Sequence, residues 1–139
     1  MRKRMVSFSI ILLFSLAGST LAHHGFVTYF DVSHSITVKG TVTSLEWTNP
    51  HVYLHIDVKD DKGAVENWNA EMGSVPWLTR NGWKRGTVKP GDEITLIGYR
   101  ARDGKPALLL DKAVLANGQE LHSSNLPTPV EGLPSIKPF

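Results

Sequence analysis

The sequence contains no cysteine. That absence excludes disulfides, thiolate metal sites, a catalytic thiol and a lipid anchor built on an acylated cysteine. An excess of charge of one sign is lacking too. The 139 residues carry 15 Lys and Arg against 13 Asp and Glu, a formal +2 with a pI near 9.0. Three of those cations, Arg2, Lys3 and Arg4, stand in the first four residues, so residues 23–139 hold 12 basic and 13 acidic side chains, a net −1. A chain so close to neutrality has no bulk field to draw it to nucleic acid or anionic lipid, and nucleic acid is not an expected partner. Long apolar runs are also missing. The stretch 6–16 is broken by Ser7, Ser9 and Ser15 and falls short of the roughly 20 residues that a spanning helix requires. The length itself suits one domain and not two.

What is present begins with an address. Basic residues 1–4, apolar residues 6–16 and small or polar residues 17–22 follow one another in the order of a secretory signal peptide. Thr20-Leu21-Ala22 predicts cleavage after Ala22, with cleavage after Ser19 as the alternative. The expected product is periplasmic or secreted, with no membrane anchor after cleavage.

Period-two alternation dominates the rest. After a lead-in over 23–35, residues 36–47 read as a long strand with Ile36, Val38, Gly40 and Val42 on one face. Its phase slips to Leu45 and Trp47, which predicts a bulge near Thr43-Ser44. Gly40 in mid-strand predicts a sharp coil or a close backbone approach. Residues 52–59 place Val52, Leu54, Ile56 and Val58 inward and His51, Tyr53, His55 and Asp57 outward. Asp60-Asp61-Lys62-Gly63 predicts a hairpin turn, and residues 65–72 return with Trp68, Ala70 and Met72 buried. Residues 74–82 predict a short helix capped by Ser74, with Pro76 in the first turn and Gly82 as the stop. Two further strands, 93–99 and 107–115, flank a turn at Arg102-Asp103-Gly104-Lys105. Asn117-Gly118 then turns the chain toward Glu120-Leu121. From His122 on, Pro127, Pro129, Pro134 and Pro138 predict a disordered Pro-rich tail over 122–139. The fold class is therefore all-β: a small five-stranded barrel resembling the oligonucleotide/oligosaccharide-binding (OB) fold over 36–121, with one short helix between strands three and four.

Several segments carry a resemblance: His23-His24-Gly25-Phe26, Trp47-Thr48-Asn49-Pro50-His51, Gly82-Trp83, Lys89-Pro90-Gly91-Asp92 and residues 98–104. Together they are similar to the domain-of-unknown-function family 6152, a family of small exported bacterial proteins, over about residues 22–121. Members often have Ser after the histidine pair, where this chain has Gly25. The resemblance implies a periplasmic or secreted location and no established activity.

The six histidines are His23, His24, His34, His51, His55 and His122. Cleavage after Ala22 would make His23 terminal, so that its amine and its ring Nδ1 chelate one ion, a nitrogen-rich arrangement suited to Cu(II). The amine with the His24 amide and ring is a local alternative, and retention of Ala22 would put His24 third, another Cu(II) motif. The candidate metal residues are thus His23, His24 and His51, the last at the mouth of a strand behind Asn49-Pro50. His55 lies roughly 13 Å further along the strand at about 3.3 Å per residue, too far to share an ion with His51. Equally, the pair can be an ordinary lead-in. A second function class then applies: a protein- or saccharide-binding module using Trp47, Asn49, His51 and Tyr53. Trp68 and Trp83 read as core. No nucleophile elbow and no paired carboxylates appear, so the reading is a non-enzymatic binding protein with copper as the possible cofactor.

Overall fold

In a computed structural model of the chain, the structure describes residues 28–123. The predicted signal peptide, His23, His24 and residues 124–139 lie outside the described residues. The strands are β1 (Phe30–Glu46), β2 (Tyr53–Lys59), β3 (Val65–Glu71), β4 (Glu93–Ala101), β5 (Ala107–Leu115) and β6 (Glu120–His122), with helix α1 (Val75–Arg80) between β3 and β4. They run in the order β3-β2-β1-β4-β5-β6, and an extra β3–β5 pairing closes five of them into a barrel. The closing pairs are parallel, Asn69 to Ala107, Ala70 to Leu108 and Glu71 to Leu109. The closed β1-β2-β3-β5-β4 cycle with a helix after β3 is the OB-like barrel that the alternation predicts. Among the described residues no helix is long and apolar enough to cross a membrane.

Sequence alternation sets the core. Val52, Leu54 and Ile56 are fully buried, while the intervening residues of β2 lie on the outer wall. Trp68 and Ala70 bury from β3 with Met72 just after it, Ile94 and Leu96 from β4, and Leu108 and Leu110 from β5. Leu78 of α1 and Trp83 plug one end. The Trp83 indole N–H donates to the His122 carbonyl at 2.8 Å, which satisfies the ring's polar atom in a buried place.

Two boundaries and one helix cap differ from the sequence expectation. Strand β1 begins at Phe30, inside the predicted lead-in. Phe30 pairs with Ala101 and Ser35 with Tyr99, so Asp31, Val32, Ser33 and His34 bulge opposite Arg100 alone. A bulge breaks the inward–outward alternation, and the polar run over 31–35 therefore carries no strand period. Asp31 organises it, accepting from the Ser33 hydroxyl at 2.6 Å and pairing with Arg102 at 3.6 Å. At the other end, His122 belongs to β6 and Ser123 is fully buried, so the predicted tail does not start at 122. Its backbone carries it in: Ser123 N–H donates to Asp111 and its carbonyl accepts from Gly73. Third, Ser74 occupies the N-cap position of α1 but makes no side-chain cap bond. Asn49, from the β1–β2 connection, supplies that bond instead, its Oδ1 accepting from Val75 N–H at 3.0 Å.

The long strand β1 bends because Gly40 permits it. A Cβ there would sit 2.5 Å from the Asp57 carbonyl oxygen of β2. Gly98, at the β4–β5 register shift, is equally hemmed in by the Leu109 carbonyl. Both obstacles are backbone, so neither can move aside cheaply. Gly40→Ala and Gly98→Ala should each lower the urea midpoint by the equivalent of about 1–3 kcal/mol. Unchanged midpoints would show that the strands can part at these crossings.

Candidate functional site

The outer wall of β1, β2 and β3 gathers the titratable residues. The β2–β3 ladder sets Tyr53 opposite Glu71 and His55 opposite Asn69, and the β1–β2 ladder sets Glu46 opposite Tyr53 and Ser44 opposite His55. The bulge at Thr43, between Val42 and Ser44, produces this arrangement. Without it Glu46 would turn inward. One row therefore runs Glu46, Tyr53, Glu71 across three strands, and β5 extends it with Leu109.

His51 precedes β2 and reaches this row. Its Nδ1 lies 2.7 Å from Glu71 Oε1, with side chains 30% and 18% exposed. A second pair stands on the same face, His55 Nε2 to Glu46 Oε1 at 2.9 Å, where the glutamate is 57% exposed. Burial pushes the Glu71 carboxyl above its ordinary range, and His51 partly opposes the shift by its charge and hydrogen bond. Burial, then the Glu71 and Glu46 carboxylates, push the Tyr53 phenol up. The wall beside Glu71 explains its burial. Phe30, Tyr99, Ala101 and Leu109 form a second apolar cluster, separate from the barrel core, with Val32 and Ala107 against it.

The residues singled out from the sequence fare differently. Tyr53 and His51 come together through Glu71, on the wall the alternation predicts. Trp47 is half-buried against the core cluster, and its carbonyl accepts from Arg85 at 3.3 Å. Asn49 directs its side-chain oxygen at α1, and the Asn49–Pro50 peptide is cis. His34 sits in the β1 bulge with Nδ1 2.8 Å from the Ser33 hydroxyl. His23 and His24 lie outside the described residues. Among the described residues no group of three or more His, Asp or Glu could hold a metal ion. Glu71 and Glu46 were missed as site residues, because the carboxylates are scattered along the sequence and meet only through strand register. Arg100 of β4 makes a contact that the sequence pattern does not signal. Its guanidinium lies 5.3 Å above the Trp68 ring, while the indole N–H donates to Glu66 at 2.8 Å.

Two outcomes follow from these placements. Asn49→Ala should cost about 1 kcal/mol by removing the acceptor at the start of α1, whereas Ser74→Ala should be close to neutral. Equal losses in chemical denaturation would contradict the assignment of the cap to Asn49. The second concerns pH. A carboxyl raised on folding stabilises the native state fully below its unfolded value, ordinarily 4.5, and that contribution is lost as pH climbs through the raised value. The stability of Glu71→Gln relative to the native protein should therefore rise over that interval and then level off. A difference that is flat with pH would refute the shift.

Comparison with known proteins places this wall and its barrel in a family. No curated protein matches the chain. The model of a family of unknown function (DUF6152) matches residues 11–109, which takes in β1 through the start of β5 and every residue of the Glu46–Tyr53–Glu71 row. The match covers most of the chain, and the protein belongs to that family.

Proposed function

We propose that the protein is an exported, non-enzymatic binding protein whose ligand is Cu(II). The ion would be held by the amine and ring of His23 after removal of residues 1–22, by a neighbouring nitrogen of His24, and by His51 across the fold. The observation that carries this reading is the anchoring of His51 by Glu71 on the wall where β1 begins. Phe30 pairs with Ala101, two residues beyond Tyr99, and Tyr99, Leu109 and Glu71 are neighbours on successive strands. Three strand spacings of about 4.8 Å and two residues of about 3.3 Å separate Phe30 from Glu71 by roughly 16 Å. Seven Cα-to-Cα steps separate His23 from Phe30, and an extended chain of that length spans up to about 25 Å. That reach, with the 2.7 Å contact between Glu71 and His51, supports a site that His23 and His51 would share. The donors are all nitrogen, which among first-row divalent ions favours copper.

A second reading, a protein- or saccharide-binding face without metal, rests on Tyr53 standing between two carboxylates. Cu(II) titration separates the two. Intact mass should first show that the exported protein starts at His23. That protein should bind Cu(II) near neutral pH and release it on acidification, since protons compete for an amine of pKa about 7.7–8.0 and an imidazole of about 6.5. His51→Ala and a four-residue extension ahead of His23 should each weaken binding at least about tenfold, or about 1.4 kcal/mol. Equal affinity of the native and extended proteins would overturn the copper reading and leave the metal-free face.

A further inference from the structure

We propose that the barrel end closed by α1 is a docking surface for an anionic phospholipid bilayer, through Arg80, Lys84, Arg85 and Lys89. The proposal is independent of the copper reading. A net charge near zero gives no bulk field, but it hides a segregation. Residues 28–123 hold 11 Lys and Arg and 12 Asp and Glu. Four of those cations and none of the acids fall within residues 74–91, so that segment stands at +4 and the rest of the described chain at −5.

Packing turns this composition into a surface. Leu78, Trp83 and Val88 are buried at intervals of five residues and anchor the stretch that leads from α1 to β4. The four cations stand between and beside these anchors, and all four are exposed. Cations elsewhere are matched in place: Lys39, Arg102, Lys105 and Lys112 each pair with a carboxylate. Among the described residues none of the four at this end forms an ion pair. Arg85 donates instead to the Trp47 carbonyl at 3.3 Å, which ties the segment to the chain just after β1.

The chemistry of the patch selects its partner. A specific protein interface is built around a buried apolar or aromatic anchor. The exposed large apolar residues among those described, Tyr29 and Val65, both lie outside 74–91. Attachment to phosphate-bearing lipid needs only clustered positive charge, each Lys or Arg near the surface contributing a factor of about five. Shape points the same way. A planar bilayer meets one end of the barrel and leaves the acidic remainder in water, where screening over about 8 Å at physiological salt weakens its repulsion. A nucleic acid wound around the barrel would meet those carboxylates.

Vesicle co-sedimentation of the exported protein, its first residue fixed by intact mass, tests this. The probes are vesicles of phosphatidylcholine alone and of equimolar phosphatidylcholine and phosphatidylglycerol. Binding is expected to the second only, weakening as salt rises toward about 0.15 M. Replacing any one of the four cations by Gln should weaken binding about fivefold, and replacing all four should abolish it. The single replacements decide the matter where the fourfold variant does not fold. Lys59→Gln/Lys62→Gln removes two exposed cations from the β2–β3 hairpin and should leave binding unchanged. Arg85→Lys keeps the charge and should bind like the native protein, because a bilayer reads charge and not the guanidinium fork. Equal binding to both vesicles, undiminished binding by the single or fourfold variants, or an equal loss in the Lys59/Lys62 variant overturns the proposal. So does binding of duplex DNA or poly-glutamate without vesicle binding. Cu(II) uptake enters none of these outcomes, so the copper reading stands or falls separately.

Discussion

Strand β1 serves two neighbours, and the closure of the barrel depends on its changing between them at Gly40. Over residues 35–41 it pairs with β4, and over 41–46 with β2, so Thr41 has a partner on each side. One residue earlier, the Asp57 carbonyl oxygen comes within 2.5 Å of where a Cβ would be. Any side chain at position 40 would push β2 away just where its ladder begins. From that crossing the rest follows by register. The Thr43 bulge turns Leu45 inward and Glu46 outward, β2 sets Tyr53 beside Glu46, and β3 sets Glu71 beside Tyr53. Three parallel pairs then bring β5 against β3, and with it Leu109 beside Glu71. The polar row and its apolar flank are consequences of closing the barrel.

Much of this architecture was legible because alternation is a strong signal in half-buried strands. Gly40, the Thr43-Ser44 bulge and the Asp60–Gly63 turn each left a mark: a glycine in mid-strand, a phase slip and a cluster of turn formers. The hairpin register could have been counted as well. Residues directly opposite in an antiparallel pair share a face, so Leu54 and Ile56 must meet Ala70 and Trp68, as they do. That requirement selects a three-residue loop between Asp60 and Ala64. The structure has that loop, with the Asp60 N–H bonded to the Ala64 carbonyl at 2.9 Å and Gly63 at φ 82. Counting onward puts Tyr53 against Glu71. The row was thus implicit in the sequence, although its acids stand far apart in the chain and meet only through register.

Other features were not legible, and for different physical reasons. Ser74 has the right chemistry and place for a cap, but capping depends on a rotamer and on competitors for the same N–H. Asn49, 26 positions earlier in the chain, occupies the N–H of Val75. The start of β1 was invisible because its first turn of chain bulges, and a bulge erases the period that identifies a strand. The burial of Ser123 is invisible for another reason. It depends on backbone bonds to Asp111 and Gly73, from two distant elements, and nothing in the composition around Ser123 reports them.

The two His–Glu pairs show how little residue type alone decides. Both join a β2-side histidine to a glutamate one strand away, at nearly the same distance. Glu46 stands at the free outer side of β1 with 57% of its side chain in water, and such a pair contributes about 0–1 kcal/mol, reduced further by salt. Glu71 has strands on both flanks and 18% exposure, so its ionised form lacks the water that Glu46 retains. The same attraction therefore has different effects. At His55 it decorates a surface. At His51 it restricts one ring to one orientation, and the restriction originates in the β3–β5 closure that puts Leu109 beside Glu71. A carboxylate in that position is costly to the fold, as its upward-shifted pKa indicates. Sheet position, more than the pair itself, distinguishes His51 from His55 on this wall.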